Sequence, residues 1–326
     1  MTKRGTMRHG SLQFYPRKRA RKILPRVNWS SVSKTKGKGL LGFIGYKAGM
    51  ASAYVKDNDA HSLTKGKKII IPVSIIEFPT VKILSVRFYR NNNVIGEVLN
   101  DNVDKEIKRK LKTQKRVRGK ADDFLKKNEG KFDDVRVIVY SQVKKTGIKK
   151  TPDIAEISLA GSLDDKISFA KENLDREINI KDFLSDGVMK NGLIDVRGVT
   201  KGKGFQGSTK RFGLSLQAHK SEKGVRGPGS GGAWHPARVE FTQPMAGQMG
   251  FFTRVIYNNK IIAVGNVKEK DINLNQGFKH YGKIKNDYII VCGSVQGPVK
   301  RQLIITPSSR PTKSQSKKNY EFLELR

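Results

Sequence analysis

From Arg197 to Arg254 the chain reads RGVTKGKGFQGSTKRFGLSLQAHKSEKGVRGPGSGGAWHPARVEFTQPMAGQMGFFTR, and no helical or alternating apolar period persists along it. A connection this long without its own structure does not belong inside a compact domain. It is either disordered or held by a partner. Basic residues recur at Arg197, Lys201, Lys203, Lys210, Arg211, Lys220, Lys223, Arg226, Arg238 and Arg254, against two acids, Glu222 and Glu240. A disordered linker seldom carries Phe205, Phe212, Leu214, Leu216, Trp234, Val239 and Phe241. Glycines such as Gly202 and Gly204 let backbone approach a phosphate, and successive N–H groups can form anion-binding nests. Lys and Arg supply point charges and bidentate forks. Trp234 and His235 offer flat faces for stacking on bases. The pattern fits an extension threaded into folded RNA.

The N-terminal segment has the same character. No Asp or Glu occurs from Met1 to Lys56, while Arg4, Arg8, Arg17, Arg19, Arg21, Lys36 and Lys38 fall early in that stretch. Phe14, Tyr15 and Trp29 are interleaved with them and can stack on bases. We expect an arm that is unstructured alone and ordered on RNA. Over 326 residues, 65 Lys and Arg face 29 Asp and Glu, for a formal net charge of +36. That much charge repels itself unless a polyanion answers it. An anionic membrane is the rival polyanion, but peripheral membrane proteins gather charge on an amphipathic helix or beside a lipid anchor. Here the charge is spread through Gly-rich segments, so nucleic acid is the expected partner and a membrane is not.

Several other function classes find little support. The single cysteine, Cys292, lies in the apolar run DYIIVCGSV and reads as a small buried hydrophobe. His9, His61, His219, His235 and His280 are scattered, without zinc spacing. No apolar run approaches the roughly 18 residues that span a bilayer. The N-terminus lacks the apolar core of a secretory signal. Two stretches match GxGxxG: Gly202–Gly207, and Gly37–Gly42. A dinucleotide fingerprint needs a strand before it, an apolar helix after it and an acid about twenty residues on. The first copy has the strand and Glu222 but is followed by STKRFG, with no apolar stripe; the second runs into a Gly-rich strand. No nucleotide or other small-molecule cofactor is expected. No nucleophile stands beside an oriented base, so no catalytic residue is assigned.

Outside the extension the periods are mostly strand-like. Gly42–Val55, Ile69–Phe78, Val81–Tyr89, Val94–Leu99, Val135–Gln142, Leu193–Thr200, Tyr288–Cys292 and Val299–Thr306 read as strands. Arg254–Tyr257 and Lys260–Val264 flank Asn258-Asn259 and suggest a two-residue hairpin. Val103, Ile107 and Leu111 predict a helix over 102–115. Ser162 and Asp165 fit a capping box ahead of the stripe Leu163, Ile167, Ala170 and Leu174, and a shorter helix follows near Lys181–Ser185. This helical block holds much of the acid, which turns it toward solvent rather than RNA. The expected organisation is a basic arm at 1–40, the first part of a β-barrel at 41–100, and an α/β insertion at 101–190. The second part of the barrel follows at 191–310, with the irregular extension at 198–254, and a basic tail closes the chain at 311–326. The fold class is mostly β with an α insertion.

At GVRGPGSGGAWHPARVEFTQPMAGQMG the chain resembles the universal large-subunit ribosomal protein family L three, in its archaeal or eukaryotic form. KGKGFQG, HKSEKGVRGPGS, the WHPAR box, GSLQFYPRKRA and LGFIGYKAGM carry the same resemblance in one order across most of the chain. The segment 103–186 carries the least. The resemblance implies a barrel of the translation-protein type and a structural role in the large subunit. It implies direct binding of 23S-type rRNA, a part in early assembly, and neighbouring large-subunit proteins as partners. It implies a cytoplasmic, ribosomal location and an extension reaching toward the peptidyl transferase centre, with Trp234 in Ala233-Trp234-His235-Pro236 at its tip. The expected rRNA contacts add His219 in HKSEKG, Lys220, Lys223, Arg226, Arg238 and, in MAGQMG, Gln248 to the residues above. His219 is also the nearest counterpart of a histidine modified in eukaryotic relatives. Two alternatives stay open on the residues alone: an RNA-modifying enzyme, though the extension holds no Asp, and a basic DNA-packing protein.

Overall fold

The computed structural model describes residues 12–32, 37–112, 132–185, 192–221, 223–235 and 237–326. Arg4, Arg8, Lys36 and Glu222 lie outside the described residues, as do His9, Pro236 and the end of the expected 102–115 helix. The strands are β1 (Gly39–Leu40), β2 (Phe43–Asp57), β3 (Lys68–Phe78), β4 (Val81–Arg90), β5 (Asn93–Leu99), β6 (Asp134–Ser141) and β7 (Ile154–Ala160). After them come β8 (Leu193–Val199), β9 (Phe205–Gln206), β10 (Gly247–Gln248), β11 (Thr253–Asn266), β12 (Asp287–Cys292), β13 (Gln302–Pro307) and β14 (Tyr320–Leu325). The helices are short: α1 (Trp29–Val32), α2 (Leu163–Glu172), α3 (Ile180–Ser185), α4 (Ser208–Phe212) and α5 (Lys313–Lys317). The chain is mostly β with helical insertions and divides into two compact units, Met1–Ile23 with Val199–Arg254 and Leu24–Gly198 with Val255–Arg326.

The larger unit holds two sheets. One orders its strands β1-β7-β6-β4-β5; the other runs β13-β8-β11-β12-β3-β2-β14. Because β13 also pairs with β2, six strands of the second sheet close into a ring. The ring is not a clean cylinder: bulges interrupt it at Lys47/Gly49 and Ile261/Ala263, and β14 adds to β2 beyond the closure. Successive strand residues point to opposite faces, and both faces are buried. Ile76, Ile289 and Val291 enter one core with Phe43, Tyr46 and Leu303, while Ile75, Tyr288 and Ile290 enter another with Val55 and Phe278. Two-sided burial explains why DYIIVC is continuously apolar instead of alternating. The dipeptide Pro79-Thr80 carries the chain from β3 in one sheet to β4 in the other.

The capping box at Ser162 is present: Ser162 Oγ accepts the Asp165 N–H at 3.3 Å and Asp165 Oδ2 accepts the Ser162 N–H at 3.1 Å. Other expectations need correction. No hairpin forms at Asn258-Asn259. β11 runs through both, and Asn258 takes φ +58° inside a continuing strand. Its N–H donates to Asp195 Oδ1 at 2.9 Å and its Nδ2 to the Arg310 carbonyl at 2.9 Å, bonds that hold the left-handed conformation without reversing the chain. The expected helix over 102–115 is a 3₁₀ turn, Lys105–Arg109, that buries only Ile107. The segment 311–326, expected as a tail, carries α5 and then β14, whose Tyr320, Phe322 and Leu325 pack on a core. β7 is not among the expected strands, although Ala155, Ile157 and Leu159 alternate with Glu156 and Ser158. Trp29, expected among bases, is 4 % exposed in the larger unit's core and donates its indole N–H to the Glu156 carbonyl at 3.1 Å.

Candidate nucleic-acid interface

The smaller unit joins the arm, from Leu12 on, to the extension, and its base is a ladder. The Thr200 N–H donates to the Phe252 carbonyl at 2.9 Å, and the Phe252 N–H returns to Thr200 Oγ1 at 3.1 Å. Lys203 N–H to the Met249 carbonyl and Met249 N–H to the Gly204 carbonyl, both 2.9 Å, continue it, and β9 pairs antiparallel with β10. The two sides cross closely at Gly250, whose φ is +68° and whose missing Cβ would stand 2.1 Å from the Lys201 carbonyl oxygen. Only glycine meets both conditions. The arm joins this stalk where the Ala20 N–H donates to the Phe251 carbonyl at 2.8 Å.

Two arginines lock arm to stalk. Arg17 Nη1 donates to the Arg211 carbonyl at 2.7 Å, and Arg211 Nη2 donates to the Arg17 carbonyl at 3.2 Å. Arg211 also sends Nε to the Gln248 carbonyl and Nη1 to the Met245 carbonyl, each at 2.9 Å. The Arg17 guanidinium lies 4.2 Å from the Phe212 ring centroid, and Tyr15 packs between Phe212 and Phe241, 6.4 Å from each. Arg254 stacks at 4.2 Å on Phe14. Burial, then the Arg17 charge beside it, lowers the Arg211 pKa from its ordinary value. The guanidinium is thus held against carbonyls with a like charge as neighbour. Arg17 and Arg211, expected as rRNA contacts, are first of all the latch between segments 194 residues apart. No local sequence signal marks such a pair.

Beyond the stalk the chain stays open. The short α4 is tied down by Thr209 Oγ1, which donates to the Arg226 carbonyl at 3.1 Å. The Gln217 N–H donates to the Val225 carbonyl at 3.0 Å, and Ser221 N–H to the Ala218 carbonyl at 3.0 Å closes a turn that leaves His219, Lys220 and Lys223 exposed. Trp234 is 86 % exposed and Phe205 77 %. Lys18, Arg19, Arg21, Lys201, Gly202, Lys203, Gly204, Lys210, Arg226, His235 and Arg238 are exposed too, and Gln248 is half-buried in the stalk with Nε2 donating to the Gly250 carbonyl at 3.0 Å. The expectation that arm and extension take shape only on RNA therefore fails at their base, where guanidinium–carbonyl bonds supply the shape.

Charge divides between the units. The smaller unit has eight Lys and Arg in residues 1–23 and nine in 199–254, against Glu222 and Glu240. Among the described residues every ion pair lies in the larger unit. One of them involves an expected rRNA contact: Lys38 Nζ stands 2.7 Å from Oδ1 of Asp165, the capping-box acid, while the lysine side chain stays exposed. Among the described residues no cluster of His, Cys, Asp and Glu could hold a metal, and no helix is long and apolar enough to cross a membrane.

Comparison with known proteins bears on the same stretch of chain. The model of a family described as Ribosomal protein L3 matches residues 1–325. A large ribosomal subunit protein uL3 of Methanocaldococcus jannaschii is 40 % identical over 314 residues, covering 93 % of this chain and 91 % of the relative. The uL3 proteins of Methanococcus maripaludis and Methanobrevibacter smithii are each 39 % identical over 317 residues, covering 94 % and 93 % of this chain and 92 % of each relative.

Proposed function

The chain belongs to the ribosomal protein L3 family, and from that premise we propose that it is a structural constituent of the large ribosomal subunit that binds 23S-type rRNA directly through its arm and extension. The observation that carries this reading is a glycine-spaced unit rich in exposed cations, among whose described residues no ion pair forms. Phosphates are the natural counter-charge, and counterion release makes such binding steeply salt-dependent. Trp234 supports the same reading. An indole can bury on the order of 200 Å², worth roughly 5 kcal/mol at about 25 cal/mol/Å², and here it is displayed to solvent. In this reading the arm and stalk act in early subunit assembly, Trp234 and His235 wedge into rRNA toward the peptidyl transferase centre, and neighbouring large-subunit proteins pack around the larger unit. Peptide transfer stays with the RNA, the chain works in the cytoplasm as part of the ribosome, and it performs no catalysis of its own.

The test is the salt dependence of rRNA binding. Replacing Lys201, Lys203 and Arg226 together with Ala should lower the slope of log K against log salt by roughly 2–3, near 0.7–0.9 for each phosphate no longer neutralised. An unchanged slope removes these residues from the interface.

A further inference from the structure

The loop between β2 and β3 carries an exposed apolar residue and a run of cations that the arm and extension do not account for. Leu63 is 99 % exposed at its tip. Around it His61, Lys65, Lys67 and Lys68 are exposed; Lys56 stands opposite Lys68 in the β2–β3 register and opposite Glu321 in the β2–β14 register. Like charges facing each other across strands are destabilising unless something else answers them. The nearby acids are oriented by neutral hydrogen-bond donors. Asp57 Oδ2 accepts Ser62 Oγ at 2.5 Å and Thr64 Oγ1 at 2.6 Å, and Oδ1 accepts the Asp59 N–H at 3.0 Å. Those hydroxyls and that N–H hold the Asp57 carboxyl below its usual range. Asp59 Oδ1 accepts the His61 N–H at 3.1 Å, and Glu321 Oε2 accepts Asn58 Nδ2 at 3.3 Å.

The loop is also braced along its whole length. Gly66 N–H donates to the Asp57 carbonyl at 2.7 Å, Asp57 N–H to the Lys67 carbonyl at 3.1 Å, Lys65 N–H to the Ser62 carbonyl at 3.2 Å and Lys67 N–H to the Thr64 carbonyl at 3.0 Å. A leucine in a mobile loop would be unremarkable. Here buried Asp57 and its hydroxyl partners fix one conformation that presents Leu63 outward, so little ordering entropy remains to be lost on binding.

We propose that residues 58–68 form a second rRNA-contact element, in the larger unit, where Leu63 enters a recess of folded RNA while Lys65, Lys67 and Lys68 neutralise the phosphates at its rim. The proposal rests on the rRNA-binding reading above. It chooses RNA because a cationic rim around one apolar knob matches a surface that offers phosphate on every side of a groove or bulge.

The experiment uses the full chain and transcribed large-subunit rRNA, with binding measured across a salt series and hydroxyl-radical footprinting of the complex. Lys65→Ala, Lys67→Ala and Lys68→Ala together should reduce the salt slope by roughly 2–3. They should also erase a patch of protection separate from the one that disappears when Lys201, Lys203 and Arg226 are replaced. Arg at the three loop positions should restore both. Leu63→Ser should weaken binding by about tenfold at fixed salt with the slope unchanged. None of these changes touches the Asp57 network, so the thermal midpoint should match that of the parent. Loop variants that bind with the parent's slope and footprint, while the extension variant loses both, overturn the second element and leave the rRNA reading standing. If the parent chain itself binds rRNA without salt dependence, the rRNA reading falls. Intact rRNA binding combined with poorer uptake of a neighbouring protein by Leu63→Ser also overturns it, since the recess would then be protein.

Discussion

Arg211→Lys separates two roles that any guanidinium in an RNA-binding segment could play. Arginine donates here through Nε, Nη1 and Nη2 to the carbonyls of Gln248, Met245 and Arg17 at 2.9, 2.9 and 3.2 Å. Those acceptors diverge, and a lysine ammonium is a single donor centre that can reach one of them. Two bonds are therefore lost with the charge retained. At about 1 kcal/mol for each partly exposed bond, the stalk loses roughly 2 kcal/mol against local opening, close to a 30-fold change in the opening equilibrium. Hydrogen exchange in the free protein reads this directly. The Ala20, Lys203 and Met249 amides, which hold arm and stalk together, should exchange roughly 30-fold faster, while strands such as β12 keep their protection. The salt slope of rRNA binding should stay that of the parent because no phosphate ligand is removed. Unchanged exchange at those amides, or a change in salt slope, would refute the latch and make Arg211 a phosphate ligand instead.

Gly250→Ala should open the stalk more severely, since its Cβ meets the Lys201 carbonyl oxygen at 2.1 Å in a backbone with φ +68°. Limited proteolysis should then cut within 200–252 while the larger unit stays resistant, and a parent-like digest would contradict the crossing. The Asp165 carboxyl is held at about 2, first by Lys38 and then by Ser162. Its folded pKa lies below the unfolded value near 3.9, so its contribution is present above that value and is lost as pH falls toward 2. An NMR titration of Lys38→Ala should show the Asp165 pKa rise, and no rise would remove Lys38 as the cause. Trp234→Ala should leave the larger unit's unfolding transition unchanged and disturb peptidyl-transferase function more than subunit assembly. Normal tRNA binding and drug sensitivity in ribosomes carrying it would count against the wedge role.

What was legible in the sequence is what depends on neighbours in the chain. Apolar, β-branched runs located β3, β4, β6 and β12 within a residue or two, and Ser162 with Asp165 located the start of α2. What was not legible depends on partners far away. Asn258-Asn259 tolerates φ > 0 at a hairpin and at an irregularity alike, and the choice was made by Asp195, 63 residues upstream. Trp29 sits among cations in sequence, yet Glu156, 127 residues on, receives its indole N–H. The C-terminal strand was hidden by lysines and serines ahead of it, since Tyr320, Phe322 and Leu325 become informative only beside β2. In the candidate interface, exposure of the cations and of Trp234 followed from composition, whereas the bonds of Arg17, Arg211 and Lys38 to protein groups did not.

The two units use their polar side chains differently. In the larger unit, buried acids are satisfied within the fold. Glu77 Oε1 accepts the N–H groups of Lys285 and Asn286 at 2.9 and 3.0 Å, and its Oε2 accepts the Tyr281 hydroxyl. Asp195 accepts the Asn258 N–H at 2.9 Å and both the N–H and Oγ of Ser309 at 3.0 Å. Asp153 meets Lys149 at 2.5 Å. Burying a carboxylate without such donors would cost several kcal/mol, so this unit's charges specify its own packing. The smaller unit shapes itself with carbonyls. A carbonyl accepts a guanidinium N–H but carries no formal charge, so the Arg17–Arg211 latch fixes geometry and leaves the net positive charge intact. Shape and neutralisation are thus separate in the arm and extension: the first is completed by the chain, and the second is left open, as the proposed rRNA binding requires.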